Sequence, residues 1–149
     1  MNKLQALTAY LLARELVAPE QLASDTEQVD LDLVWKLGTQ GLHMGDMRYR
    51  AVISFERFAD HPARLMALVG SWLQTHDPER SRQVLPAPNF HITPLDNDLF
   101  DVDLVLEFLE PLHLAEDPAG EIEAFDKTWA YVPFDLWVAE QGEVVSSGT

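Results

Sequence analysis

DMRYRAVISFERFADHPARLMALVGSWLQTHD, from Asp46 to Asp77, is the stretch whose reading decides the fold of this chain. Its first part alternates. Tyr49, Ala51, Ile53 and Phe55 fall on one side, and Arg48, Arg50, Ser54 and Glu56 on the other. Period two is the mark of a half-buried strand. A short turn follows, in which Asp60 offers an N-cap and Pro62 sits in the first helical turn. Leu65, Leu68, Val69, Trp72 and Leu73 then recur at i, i+3, i+4, i+7 and i+8, the stripe of a helix that packs on a core. That helix stops near His76, because the residue before Pro78 is pushed out of the helical region.

Working outward, residues 29–37 also alternate, with Val29, Leu31, Leu33, Trp35 and Leu37 against Gln28, Asp30, Asp32 and Lys36; Val34 breaks the pattern. With a glycine-rich turn at 41–45 they predict a β-hairpin leading into the Tyr49–Phe55 strand. Its outward faces differ in charge, Asp30 and Asp32 on one strand and Arg48 and Arg50 on the other. Upstream, Leu4, Leu7, Leu11, Leu12 and Leu16 predict a helix over 3–18 ended by Pro19, with a loop or short turn over 19–28. Downstream, 78–89 reads as a Pro-rich loop, and Phe90 and Ile92 open a strand. Asp96-Asn97-Asp98 turns it, and Val102, Leu104, Leu106 and Phe108 carry a second hairpin strand that Pro111 breaks or bulges, with Leu112 and Leu114 placed to continue it. Residues 115–127 read as an acidic loop, and Phe134, Leu136 and Val138 as a late strand turned by Gln141-Gly142. The expected fold class is α+β: one domain over 1–149, an antiparallel sheet of hairpins packed against one or two helices.

The chain has 149 residues, 47% of them apolar, which suits a globular domain with a core. There is no cysteine, so disulfides and thiolate zinc sites are excluded. No apolar run approaches the ~18 residues of a membrane span, and the N-terminus reads as a helix, not a signal peptide. The net charge is −15. Residues 1–82 hold nine basic and eleven acidic side chains, a balance of −2. Residues 83–149 hold one and fourteen, a balance of −13. The acidic half lacks the cations that phosphate-backbone binding requires. Its charge is read either as a solvated surface or as one that meets a basic partner or repels DNA.

Tests for chemistry come back empty. None of the five histidines has another at i+4, and there is no HExxH. The run from Asp96 to Asp101 begins like a calcium loop but has Asp101 where the sharp turn needs glycine. Gly70-Ser71 lies inside a helix rather than at a nucleophile elbow, and no phosphate-cradling glycine loop occurs. Asp101 and Asp103 alternate with apolar residues, as an outward strand face requires. No catalytic residue, metal ligand or cofactor is therefore assigned. Of the four tryptophans, Trp35 and Trp72 lie on apolar stripes and read as core. Trp129 and Trp137 fall where exposed aromatics would anchor an interface or, equally, where they would cover a sheet edge within the chain.

One resemblance adds to this reading. The order Tyr49, Ile53, Phe55, a short loop, then a helix ending Trp72-Leu73-x-x-x-Asp77-Pro78 resembles the tail completion protein R family of contractile-tailed temperate phages and related phage-tail bacteriocins. The likeness extends to the N-terminal helix, the acidic hairpin around Asp96-Asn97-Asp98 and Phe100-Asp101-Val102-Asp103, and the ending Leu136-Trp137-Val138 with Gly142-Glu143-Val144-Val145. The polar segment at 78–88 is longer than the family's, and the hairpin turn is Gly-rich. The resemblance implies a tail-terminator-like fold and a structural role without catalysis: capping the head-proximal end of the tail tube and enabling head–tail joining. It further implies a ring of copies, commonly six, with tail tube or sheath proteins and head–tail connector proteins as partners. The chain would be assembled in the host cytoplasm and carried in the virion or a tail-like particle. No sequence-specific nucleic-acid binding or membrane contact is implied.

Within that role, Arg48, Arg50, Asp30, Asp32, Trp129 and Trp137 are the expected subunit or tail interface, and Asp96, Asp98, Asp101 and Asp103 the expected acidic lining of a DNA channel. Two rival classes stand beside it. An acidic inhibitor of immunity or DNA-mimic type would use the negative surface against a basic partner. A small hydrolase or transferase would need a concave pocket holding a carboxyl or histidine of shifted pKa.

Overall fold

The computed structural model describes residues 1–39 and 41–133. The elements are α1 (Asn2–Ala13), β1 (Leu22–Gly38), β2 (Gly41–Phe58), α2 (Pro62–His76), β3 (Asn89–Pro94), β4 (Phe100–Glu116), β5 (Ile122–Ala124) and β6 (Lys127–Val132). The strands run in the order β1-β2-β4-β6-β5, with β3 paired to β4. The fold is α+β, an antiparallel curled sheet of hairpin strands with two helices. Contacts divide the chain into two compact units. One holds Lys3–Val29 and Tyr49–Phe108; the other holds Asp30–Arg48 and Leu109–Thr149, together with Asn2. The late strand expected over Phe134–Val138 lies outside the described residues.

In the first unit the period-two side chains of β2, namely Tyr49, Ala51, Ile53 and Phe55, are all buried, as are Leu65, Val69, Trp72 and Leu73 on α2 and Leu4, Leu7 and Leu11 on α1. Phe108 of β4 is the meeting point of the aromatics: its ring lies 5.7 Å from that of Tyr49 and 6.3 Å from that of Trp72. The Tyr49 hydroxyl accepts from the backbone N–H of Leu4 (3.3 Å). β3 pairs antiparallel with β4 from Asn89 opposite Val105 to Pro94 opposite Phe100. The turn between them carries left-handed backbone at Asn97 and Asp98, a conformation that Asn and Asp tolerate.

A buried ionic cluster closes this unit. Asp77, the C-cap of α2, is 3% exposed. It accepts from Lys3 Nζ (2.8 Å) and from the Arg80 guanidinium (3.0 Å). Arg80 donates in addition to the carbonyls of Glu107 (2.7 Å) and Pro86 (3.1 Å), and lies over the Phe108 ring. The Asp77-Pro78 pair therefore ends the helix and also anchors the loop that follows.

In the second unit Leu42, Leu114 and Trp129 form the core, with Met44, Ile122 and Ala124 packed against it. β6 pairs antiparallel with β4, His113 opposite Val132 and Glu116 opposite Trp129, and β5 folds back on β6. Three glycines are sterically required, among them Gly45, where a Cβ would lie 2.6 Å from the Asp32 carbonyl oxygen. A Cβ on Gly120 would lie 2.3 Å from the Trp129 carbonyl oxygen. Gly41 has φ +134°, and a Cβ there would lie 2.6 Å from the Leu114 carbonyl oxygen. Buried Glu110 accepts from the backbone N–H of Asn2 (3.1 Å).

Several expectations are corrected. The first helix ends at Ala13, not 18, because Glu15 turns left-handed (φ 53°) just past the cap. The N-cap of α2 is His61, whose Nδ1 accepts from the Ala63 N–H (3.0 Å). Asp60 instead accepts from the His61 N–H and pairs with Arg64. Residues 41–45 are not the hairpin turn: β1 runs to Gly38 and β2 already begins at Gly41. The polar segment before Val29 is strand from Leu22 onward. Pro111 interrupts nothing, since β4 continues to Glu116, and the acidic segment after it contains β5. The largest correction concerns β1. It is not half-buried: apart from Leu22 every residue is exposed, because among the described residues no layer covers either face.

Candidate interaction surface

The exposed β1 is the feature of this surface that calls for explanation. Val29, Leu31 and Leu33 are 51%, 52% and 60% exposed, and Leu37 55%. Solvated strands do not ordinarily carry aliphatic side chains at successive alternate positions, and exposed apolar patches mark interaction sites. β1 stands at the end of the strand order, so one of its backbone edges has no strand beside it among the described residues. Gln28 (φ 48°) and Trp35 (φ 52°) take left-handed backbone within the strand. Such interruptions re-aim side chains as β-bulges do.

Trp35 was expected in the core. It is instead 38% exposed, and its ring lies 6.4 Å from that of Phe125 in an edge contact. Phe125 is itself 51% exposed, in the β5–β6 turn, with φ 53°; Asp126 beside it has φ 60°. A tight turn with two successive left-handed residues matches the twist of the flanking strands, but it favours Asn and Gly. Holding a bulky aromatic there costs about 1–3 kcal/mol. Two exposed aromatics in left-handed backbone therefore touch each other beside an exposed aliphatic row.

The charged residues expected at an interface are placed as follows. Asp30, Asp32 and Arg50 are exposed and Arg48 is half-buried. No ion pair joins Asp30 or Asp32 to Arg50 among the described residues. Trp129 is not a surface anchor: it is 4% exposed, and its indole N–H donates to the Ala124 carbonyl (2.8 Å). The close pairing of β5 with β6 buries it. Trp137 lies outside the described residues. Of the acidic group, Asp96, Asp98 and Asp103 are exposed. Asp101 is half-buried and accepts from the Arg57 N–H (3.1 Å).

Two open depressions of about 530 and 460 Å³ adjoin Lys127 and Thr128; Glu123, Ala124 and Asp126 line the first, Glu116 and Pro118 the second. The Thr128 hydroxyl is committed to the Asp117 carbonyl (2.6 Å), and Lys127 pairs with Glu116 (3.1 Å). The groups with shifted titration lie elsewhere. Exposed Asp60 is held below the usual carboxylate range by the His61 N–H and then by Arg64. His113 is held below the usual imidazole value, first by desolvation and then by His43, against which it stacks at 5.0 Å. His43 in turn meets Asp46 (2.7 Å). Among the described residues no three His, Asp or Glu side chains converge on a metal position, and no helix is long and apolar enough to cross a membrane.

Sequence reading missed the Trp35–Phe125 contact and the Lys3–Asp77–Arg80 cluster. The only available signal for the first was apolar alternation on a strand already rich in acid; for the second there was none beyond the Asp-Pro helix stop.

Comparison with known proteins bears on this surface. Residues 1–133 match the family model of the P2 phage tail completion protein R (GpR). The chain is 27% identical over 108 residues to an uncharacterized 19.2 kDa protein of the rep-hol intergenic region of Haemophilus phage HP1 (strain HP1c1), covering 70% of this chain and 65% of that protein. The chain thus spans just under two thirds of the length of that relative. No solved structure matches.

Proposed function

The chain belongs to the P2 phage tail completion protein R family, and from that premise we propose that it closes the head-proximal end of a phage tail tube and makes that end competent to join the head. The family is structural, not enzymatic, so the function is one of surfaces. The observation that carries the reading is the family match across residues 1–133.

In this reading copies meet head to tail in a closed ring, six being a common number for such caps. Heterologous contact of this kind needs two different complementary faces on each subunit. Exposed Asp30 and Asp32 supply one, and Arg50 with half-buried Arg48 the other. Tail tube or sheath proteins and the head–tail connector are its neighbours. The ring forms in the host cytoplasm and stays in the finished particle. Asp96, Asp98, Asp101 and Asp103 line the passage, where carboxylates keep a phosphate backbone from adhering.

Electron microscopy of lysates from a strain lacking the gene tests the proposal. Overlong tails, or tails of normal length without heads, support it. Normal, joined and infectious particles reject it. Neutralising the four channel aspartates should slow DNA delivery without preventing tail formation; unchanged delivery would remove them from the passage.

A further inference from the structure

We infer that the facing imidazoles of His43 on β2 and His113 on β4 are an acid-sensitive latch of the second unit: once both carry a proton, β2 and β4 part beside them, and this unit opens while the first stays folded. The inference does not depend on the tail-completion reading.

Geometry carries it. The two rings stack with their centroids 5.0 Å apart and 29° between their planes. Neutral imidazoles attract in that arrangement, whereas two imidazolium rings at the same distance repel. The strands are close here. A Cβ on Gly41, two residues before His43, would lie 2.6 Å from the carbonyl oxygen of Leu114, the residue after His113. Repulsion between the rings therefore acts on the strand pairing itself. Histidine is also the side chain whose charge changes in the mildly acidic range.

The other charges around the pair do not cancel that repulsion. Asp46 of β2 meets His43 Nε2 at 2.7 Å and can answer one imidazolium. For His113 the balance is adverse: burial first and His43 second hold it below the usual imidazole value, and Asp46 only partly opposes them. Half-buried Arg48, further along β2, adds a cation. On β4, buried Glu110 accepts from the Asn2 N–H, and Glu116 pairs with Lys127 of β6. β6 sets uncharged Val132 opposite His113. β1, on the far side of β2, carries Asp30, Asp32 and Lys36, all exposed, where water and salt screen them.

What gives way is a small core. Leu42 and Leu114 are the chain neighbours of the two histidines, so alternation puts them on the opposite face of the same two strands. There they form the core of the second unit with Trp129, and Met44, Ile122 and Ala124 pack against it. Parting the strands at the histidines also parts Leu42 from Leu114. The first unit instead buries Tyr49, Phe55, Trp72 and Phe108 with the apolar faces of both helices. Segments with fewer buried apolar contacts open at lower cost.

Hydrogen exchange of the full-length chain tests the latch, read by mass spectrometry between about pH 7.5 and about pH 5 and corrected for the intrinsic pH dependence of exchange. Peptides spanning 41–48 and 109–116 should exchange about tenfold faster at the acid end, while residues 65–73 of α2 stay protected. His113→Asn should remove the acid response; should that variant fail to fold, His43→Asn removes the same ring pair. Asp46→Asn should steepen the response, because the anion that opposes it is gone. Acid exchange that rises equally in α2, that persists in the histidine variants, or that is absent from the parent overturns the inference.

Discussion

Removing the Asp77 carboxylate tests the account of the first unit most directly. Its two oxygens answer two cations, Lys3 at 2.8 Å and Arg80 at 3.0 Å, and the side chain is 2% exposed. In Asp77→Ala Arg80 keeps its position but loses this counter-charge, and Lys3 loses this carboxylate, with only 12% and 15% of their side-chain surfaces open to water. Breaking one partner out of a buried pair costs about 3–5 kcal/mol, because what remains is an uncompensated charge. Arg80 still donates to the Glu107 and Pro86 carbonyls, which holds the loss toward the lower figure. About 3 kcal/mol corresponds to a melting temperature lower by roughly 6–12 °C in a chain of this size. Urea denaturation of the full chain measures it. Arg82→Ala is the control: that arginine meets Glu79 at 3.4 Å with 83% of its side chain exposed, and its loss should change stability by less than about 0.5 kcal/mol. An Asp77→Ala penalty no greater than that of Arg82→Ala would refute the argument, since the cluster would then contribute nothing beyond a surface pair.

Two further outcomes follow from the second unit. Gly120→Ala would set a methyl 2.3 Å from the Trp129 carbonyl oxygen, so a loss of about 1–3 kcal/mol is expected in the same assay; Gly70→Ala, whose Cβ meets nothing within 4 Å, should be neutral or stabilising. The folded pKa of His113 lies below its ordinary 6.5 through burial and the facing His43, with Asp46 partly opposing. Above pH 6.5 the ring is neutral in both folded and unfolded chains. As pH falls from there through the folded value, the unfolded chain binds the proton first, so stability is lost. Urea midpoints between pH 7.5 and about 5 should fall less steeply in His113→Asn than in the parent; equal slopes would exclude the histidine as the cause.

The sequence by itself determined the local elements of the first unit. Tyr49, Ile53 and Phe55 at period two and the Leu65–Leu73 stripe at period 3.6 fix which faces of β2 and α2 are buried, because each period admits one face. The resemblance carried by those same residues and the Asp77-Pro78 stop led to the right family. Periodicity could not decide what meets each face. Val29, Leu31 and Leu33 show the same alternation as Tyr49, Ala51 and Ile53, yet the second set is buried and the first exposed. The difference is the presence of a covering layer, which belongs to tertiary structure and not to the strand. Trp129 and Trp35 exchanged their expected places for the same reason. β5 folds over the former, and no described element covers β1. The pairing of Lys3 with Asp77 across 74 residues was likewise decided only when the fold brought the end of α2 to the start of α1, because no local spacing rule relates residues so far apart in the chain.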